Sequence, residues 1–203
     1  MNDEIQHIIS GESETGQGTV IKTITNYLAR CQKASGMAKA DKHFKTKETK
    51  NLIDFIEAEK LWYFSINIDN FIAEGAEQKV YIKNEQSVVK LNDSIYYLSW
   101  IDYFHNILLH NYFFPDTLYT FLGFYQLEEK LYAVVEQPYV KATEKTNLDL
   151  VKLFLTNNGF NNTRNNDYFN PELGLILEDL HDENVLTQNE ILYFIDTVFY
   201  ITN

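Results

Sequence analysis

The order of short apolar runs after Trp62 constrains the fold of this chain more than any other feature of its sequence. Three runs rich in β-branched and aromatic residues, at 62–75, 77–85 and 86–92, are separated by polar turns and predict antiparallel strands. A long aromatic run with helical spacing follows at 93–113, and then a predicted hairpin at 119–140. A helical run at 147–160 and strand-like runs at 173–177 and 191–201 complete the order. This order indicates an α+β fold with a mainly antiparallel sheet.

The first sixty residues have a different pattern, in which apolar residues at helical spacing are separated by many polar residues. Runs at 20–34 and 46–64 predict amphipathic helices, whereas the Gly-, Ser- and Thr-rich segment 10–19 predicts a mobile loop. A second polar segment, 160–171, also predicts a loop. We therefore expect residues 1–60 to form a helical extension and residues 61–203 to form one domain.

The charge and the cysteine content of the chain indicate which partners and which cellular compartment to expect. The net charge of −12 argues against nucleic acid as a partner of the whole chain. Seven Lys or Arg residues nevertheless fall between positions 30 and 50, and they form either a solvated face or a surface that docks on the acidic body or a partner. A single cysteine, Cys31, fits a reducing compartment. No signal peptide or membrane-spanning run is visible, so we expect a cytoplasmic protein without membrane partners.

The segment 177–186, LEDLHDENVL, places a cluster of polar side chains between leucines. Phosphoryl transfer needs a carboxylate near the acceptor hydroxyl, oxygen ligands for Mg²⁺ and a cation on the phosphates. Asp179 and Asn184 offer a carboxylate and an amide from one loop, and Asp196 follows the apolar run ILYFI as a second candidate metal ligand. The alternative is an acid-capped turn whose side chains bond loop N–H groups. We expect His181 to brace the loop.

The sequence DLHDENV at 179–185, with Ile-Asp about a dozen residues later, resembles the catalytic and metal loops of protein-kinase-like phosphotransferases. Further runs are similar to the kinase-like domain of phage and mobile-element polyvalent proteins: ILLHNYFFP, LGFYQ with VVEQPYV, and LYFIDTVFY. The resemblance covers roughly residues 60–203. It implies a minimal protein-kinase-like fold, in which an antiparallel N-lobe with one long helix is joined to a truncated C-lobe.

The resemblance also implies ATP and Mg²⁺ as cofactors and assigns roles to particular residues. Asp179 takes the position of the catalytic residue, and Asn184 and Asp196 take those of the metal ligands. The implied nucleotide-binding residues are a glycine of the phosphate loop, the phosphate-binding lysine and three residues of the hinge: Gly75, Lys90, Glu136, Gln137 and Tyr139.

Several positions depart from the kinase pattern. The long helix has no Glu to pair with Lys90, and Asp102 is the expected substitute. Pro138 has no N–H, so Gln137 or Tyr139 would have to donate a hydrogen bond to adenine.

Two hypotheses of different classes follow. The first is a kinase-like phosphotransferase that binds ATP and Mg²⁺ between its lobes and transfers a phosphoryl group to a hydroxyl of a protein or a small molecule. The second is a catalytically inactive kinase-like module that binds a protein partner. The altered glycine loop, with Ala73 and Gln78 in place of glycines, favours the second hypothesis. So does the expected absence of a substrate-binding helical lobe, since seven residues follow Asp196.

Overall fold

The structure, a computed structural model, describes residues 2–10, 16–35, 43–75 and 78–202. Its contacts divide the chain into two compact units that do not follow sequence order. The sheet unit comprises residues 13–104 and 119–139, and the loop unit comprises residues 1–12, 105–118 and 140–203. The domain boundary predicted at residue 60 stays a prediction.

The described part of the sheet unit contains a five-stranded antiparallel sheet and two N-terminal helices. The helices are α2 (Gly16–Ser35) and α3 (Phe44–Glu59), and α2 begins inside the segment 10–19 that was predicted to be a loop. That prediction is wrong for residues 16–19, and residues 11–15 lie outside the described ranges. The strands run in the spatial order β1-β2-β3-β5-β4: β1 (Phe71–Glu74), β2 (Gln78–Ile82), β3 (Ser87–Asn92), β4 (Thr120–Leu127) and β5 (Lys130–Pro138).

Strand side chains alternate between the two faces of this sheet, and each face carries a cluster of buried apolar residues. Val89 and Leu91 of β3 form one core cluster with Tyr81, Tyr132 and Val134. On the opposite face an aromatic cluster joins the first turns of the helix α4 (Trp100–Phe113) to β4, through rings 5.2–6.4 Å apart: Trp100, Phe104, Phe121 and Phe124.

Helix α4 begins seven residues later than the run at 93–113 predicts. The polar residues before it form local turns instead, in which Ser94 N–H donates to Asn92 Oδ1 at 2.7 Å and Ile95 N–H donates to Asp93 Oδ1 at 3.1 Å. The helix then starts behind a capping pair, because Asp102 N–H donates to Ser99 Oγ at 3.1 Å and Ser99 Oγ–H donates back to the Asp102 carboxylate at 2.7 Å.

The basic N-terminal segment makes a specific contact in this unit. The Lys45 ammonium donates to the main-chain carbonyls of Ser94 and Tyr97, the second at 2.6 Å. Lys45 is therefore not part of a simply solvated face. Lys39 and Lys42 of the same basic segment lie outside the described residues.

The described residues of the loop unit form two further antiparallel sheets with helices beside them. The helices are α1 (Asp3–Ile9), the later turns of α4 and α5 (Leu148–Asn157). One sheet has the order β11-β8-β7-β6 and the other pairs β9 with β10: β6 (Asn161–Arg164), β7 (Asp167–Asn170), β8 (Leu175–Glu178), β9 (Val185–Gln188), β10 (Ile191–Phe194) and β11 (Val198–Ile201).

Two predictions for this region are wrong in detail. The polar segment 160–171 is not a loop but the β6–β7 hairpin, whose backbone pairing continues into β8. The run at 191–201 is not one strand, because it breaks between β10 and β11 at residues 195–197. The α+β class with antiparallel sheets is nevertheless confirmed, and it is consistent with a small kinase-like fold. Within the described ranges no helix combines the length and apolar character needed to cross a bilayer.

Candidate functional site

The loop between β8 and β9 brings Asp179 and Asn184 together. Asp179 follows the last residue of β8 and has a φ of 67°, which is a left-handed conformation that Asp adopts more readily than most residues. The Asn184 Nδ2–H group donates to the Asp179 main-chain oxygen at 2.8 Å and to its Oδ2 at 3.0 Å. The catalytic and amide residues predicted five positions apart therefore contact each other directly.

His181 braces this loop, as expected from the sequence. Its Nδ1 accepts a hydrogen bond from the Glu183 N–H at 3.2 Å, so a neutral ring carries its proton on Nε2. Nε2 lies 3.3 Å from Asp179 Oδ1 and 3.2 Å from Asn184 Nδ2, so the imidazole stands beside both the carboxylate and the amide. The Asp179 side chain keeps 60% of its surface exposed, so a substrate hydroxyl can reach it.

Asp196 lies in the break between β10 and β11, next to Asn184. The main-chain oxygen of Asn184 accepts from the N–H groups of Ile195 and Asp196, at 2.9 and 3.2 Å. These two hydrogen bonds bring together the two residues predicted to bind the metal. Both side chains are half-buried.

The donor set of this loop fits a hard divalent cation. Mg²⁺ prefers oxygen ligands and is commonly held by one or two carboxylates together with substrate phosphates. Because the Asn184 amide nitrogen donates to Asp179, the amide oxygen is the atom of this side chain that could bind a metal, together with the carboxylate of Asp196. No group of three or more His, Cys, Asp or Glu residues that could hold a metal occurs within the described ranges.

Lys90 is buried in the centre of the sheet unit. It stands in β3 opposite Val80 of β2 and Val135 of β5, with only 5% of its surface exposed. Its ammonium lies 5.5 Å from the centroid of the Tyr119 ring, a cation–π distance. Tyr119 was not singled out from the sequence, and no motif there indicates it. The pairing of Asp102 with Lys90 stays a prediction.

The predicted hinge residues lie along and just after β5. Gln137 is buried, and Glu136 accepts a hydrogen bond from the Lys83 ammonium at 2.6 Å. The Tyr139 N–H donates to the Gln86 main-chain oxygen at 2.8 Å, so an adenine ring would have to compete for that donor.

Gly75 follows β1, and its N–H donates to the Gln78 main-chain oxygen at 2.8 Å. A Cβ added there would meet one described atom within 4 Å, the Gln78 oxygen at 4.0 Å, and its φ is not in the left-handed range. The described residues therefore do not by themselves require glycine at this position.

Two carboxylates near these residues have pKa values displaced in opposite directions. Burial raises the pKa of Glu178, and the neighbouring carboxylates of Asp167 and Asp179 raise it further. For Glu136 burial also works to raise the pKa, but the neighbouring Lys83 and Ser87 side chains together lower it by more, so the pKa lies below its ordinary value. The ionised form is therefore disfavoured for the Glu178 side chain and favoured for the Glu136 side chain.

An open pocket of about 690 Å³ lies on the sheet unit, and none of the predicted site residues lines it. Its walls come from α3, the turn before α4 and the β4–β5 hairpin: Lys45, Thr46, Thr49, Lys50, Ile53, Asp54, Asp93, Ile95, Trp100, Glu129, Lys130 and Leu131. Its volume is in the range of small-molecule sites, but it lies apart from the residues that carry the chemistry.

Comparison with known proteins identifies the family. No curated protein matches this sequence. The sequence model of one family, described as a serine/threonine/tyrosine kinase found in polyvalent proteins, matches residues 45–203, which is most of the chain. The match begins in α3 and includes all the predicted site residues. It confirms the kinase resemblance, and the chain belongs to the kinase family found in polyvalent proteins.

Proposed function

We propose that this chain transfers the γ-phosphoryl group of ATP, with Mg²⁺, to a hydroxyl group of a protein or small-molecule acceptor. Membership of the kinase family supports a phosphotransferase at the coarse level. The observation that carries the finer proposal is the position of Asn184, whose side chain bonds Asp179 and whose main-chain oxygen bonds Asp196. One residue thus joins the candidate catalytic carboxylate to the candidate metal ligand.

Asp179 is the residue that would act on the acceptor. Its carboxylate is exposed, so it can accept a hydrogen bond from an incoming hydroxyl and orient that oxygen toward the phosphorus. The Asn184 amide and the His181 imidazole approach its two carboxylate oxygens. Such positioning is the main requirement of phosphoryl transfer, because little covalent chemistry falls to the protein.

Asn184 Oδ1 and the Asp196 carboxylate would hold Mg²⁺. The bound cation supplies neutralisation of the phosphate oxygens as charge moves toward the leaving group. The chain contributes a negative ligand at Asp196 and a neutral one at Asn184, and their main-chain hydrogen bonds fix the spacing of the two segments.

The sheet unit would bind the nucleotide. Lys90 presents a buried ammonium that suits phosphate oxygens, since a buried cation is stabilised by an anion that replaces water. Gln137 and the main chain around Glu136 and Tyr139 would contact the adenine, and the turn at Gly75 would approach the phosphates. The acceptor, the exclusion of nucleic acid and a cytoplasmic location stay predictions.

Thermal unfolding with and without Mg-ATP tests the proposal. A ligand that binds only the folded protein, at 100 times its dissociation constant, adds about 2.7 kcal/mol and raises the unfolding midpoint. We expect a shift that requires Mg²⁺ and is lost in Asp196→Asn, while Lys90→Met weakens nucleotide binding. Asp182→Asn is the matched control, because Asp182 lies in the same loop and pairs with Lys145 at 3.5 Å.

A second assay follows transfer of the γ-phosphoryl group from labelled ATP to the protein itself or to water. Asp179→Asn is expected to abolish transfer while it retains the Mg-ATP shift in unfolding. A wild-type protein that shows no shift at millimolar Mg-ATP would remove the phosphotransferase proposal. It would favour the catalytically inactive module instead.

A further inference from the structure

The segment that carries Asp196 is held by buried polar groups from helix α4 and the turn after it. His110 of α4 has no exposed surface, and its ring nitrogens contact two threonines. Nδ1 lies 2.7 Å from Thr197 Oγ1, and Nε2 lies 2.9 Å from the Thr117 main-chain oxygen. Thr197 directly follows Asp196, so one of the contacts of His110 is adjacent to the candidate metal ligand.

The direction of these hydrogen bonds follows from the acceptors. A main-chain carbonyl can only accept, so Nε2–H donates to Thr117 and, in a neutral ring, Nδ1 accepts from the Thr197 hydroxyl. The Thr117 hydroxyl donates to the Phe194 main-chain oxygen at 2.5 Å. His110 and Thr117 therefore bond the chain on both sides of Asp196.

A second contact from α4 lies one helical turn earlier. Asn106, which is 4% exposed, accepts the Phe199 N–H at 2.8 Å through its Oδ1. Residues four apart lie on one helix face, so Asn106 and His110 both contact the segment 197–199. Phe114 stacks on Phe194 with ring centroids 4.2 Å apart and planes 15° apart.

We propose that Asn106, His110 and Thr197 are positioning residues that fix the Asp196 carboxylate for a divalent cation, an inference that rests on the proposed function. Asp196 lies in the short segment 195–197 between β10 and β11. The Asn184 main-chain oxygen bonds its N–H from one side, and the polar groups of α4 hold the residues that follow it. Outer-shell partners of this kind typically change metal affinity by about 10–100-fold.

The test uses variants that keep shape and change one hydrogen bond. Thr197→Val removes the hydroxyl, and Thr197→Ser retains it. Asn106→Leu removes the acceptor of the Phe199 N–H, and Asn170→Leu is its matched control. Asn170 is also a 4% exposed asparagine of the loop unit, but it accepts from the N–H groups of Glu172 and Leu173.

Two readouts separate positioning from stability. The first is the affinity for Mn²⁺ in the presence of a non-hydrolysable ATP analogue, measured by electron paramagnetic resonance. The second is the hydrogen exchange rate of the amides at 194–199 without metal or nucleotide. We expect Thr197→Val and Asn106→Leu to weaken Mn²⁺ binding by about 10-fold or more and to accelerate exchange at 194–199. Thr197→Ser and Asn170→Leu should remain near wild type in both readouts.

The outcomes are distinct from those for the proposed function. If wild-type protein fails to bind the Mn²⁺–nucleotide pair, the proposed function fails, and the exchange rates alone then decide whether these residues position the segment. Unchanged exchange at 194–199 in a folded Thr197→Val protein overturns the inference. So does unchanged Mn²⁺ affinity in that variant. If Thr197→Val does not fold, Asn106→Ser, which withdraws the acceptor without adding bulk, is judged by the same two criteria.

Discussion

Replacement of Glu48 tests whether α3 stabilises the start of helix α4. Glu48 is a buried acid, 3% exposed, in the second turn of α3. Its Oε2 accepts the Trp100 N–H at 2.8 Å, and its Oε1 accepts from Gln32 Nε2 at 3.2 Å. Trp100 is the first residue of α4, so its N–H is one of the groups that a helix cannot satisfy internally. Glu48 therefore acts as a remote cap, 52 residues away in sequence.

The expected loss follows from these contacts. A hydrogen bond to a charged group contributes about 1.5–3 kcal/mol, and a carboxylate near a helix N-terminus adds about 0.3–1 kcal/mol. Glu48→Ala removes both and leaves the buried Trp100 N–H without this acceptor, so we expect a loss of about 2–4 kcal/mol. Glu48→Gln keeps an acceptor but removes the charge, so we expect a loss of about 1 kcal/mol.

Urea unfolding followed by tryptophan fluorescence measures these losses. One of the two tryptophans is Trp100 itself, which is buried. Glu57→Ala is the control, because Glu57 is an exposed acid on the same helix, and substitutions of that kind usually fall within about 0.5 kcal/mol. The reasoning is refuted if Glu48→Ala and Glu57→Ala lose the same stability at equal denaturant dependence. It is also refuted if the glutamine variant is as unstable as the alanine variant.

Three further substitutions have defined outcomes. Gly123→Ala should lower the free energy of unfolding in urea by about 1–3 kcal/mol, because the φ of 138° at this position disfavours side chains and an added Cβ would lie 2.5 Å from the Leu61 oxygen. A loss below this range would contradict the prediction. Glu178→Gln should unfold at a higher temperature than wild type at about pH 7, and the gain should disappear below the ordinary Glu pKa of about 4.3, because a raised folded-state pKa makes the ionised form unfavourable. Glu136→Gln should have the opposite effect and lower stability at neutral pH. The loss should be under about 1 kcal/mol, because the ion pair of Glu136 with Lys83 is partly exposed. It should vanish as the pH falls through the lowered pKa of Glu136. Thermal unfolding midpoints measured from about pH 7 to below the ordinary Glu pKa of about 4.3 test both glutamate predictions. Parallel curves of midpoint against pH for wild type and variant would refute the pKa shift assigned to that glutamate.

The parts of the fold that the sequence predicts well are those in which side-chain period and burial agree. Strands β3 and β5 each carry a Val-Val pair, and the hairpin β4–β5 turns at Glu128 and Glu129, within the predicted hairpin at 119–140. The hairpin β6–β7 was missed because its first strand, Asn-Asn-Thr-Arg, has no apolar residue and is fully exposed. Its pairing comes from its neighbour in the sheet, which no local pattern reveals.

In the site too, contacts between residues close in sequence could be predicted, whereas contacts between residues distant in sequence could not. The contact of Asn184 with Asp179 follows from a five-residue spacing within one loop, and the loop motif indicated it. The run at 191–201 was predicted as one strand because nearly all its residues are apolar. It breaks because the Asn184 main-chain oxygen takes the N–H groups of Ile195 and Asp196. The bond of His110 to Thr197 spans 87 residues, so it becomes visible only when the helix and the segment are placed together.

The left-handed backbone of Asp179 limits which replacements the loop can accept at this position. Asp, Asn and Gly tolerate a φ of 67° better than other residues do, so most replacements would disturb the loop as well as remove the carboxylate. Asparagine would keep the backbone and an oxygen that can accept from Asn184. Because Asp and Asn codons differ at a single base, one transition would, on the proposed function, remove the catalytic carboxylate while it preserves the fold. A natural variant of this chain with Asn at position 179 is therefore expected to fold like the wild type and to lack the proposed phosphoryl transfer.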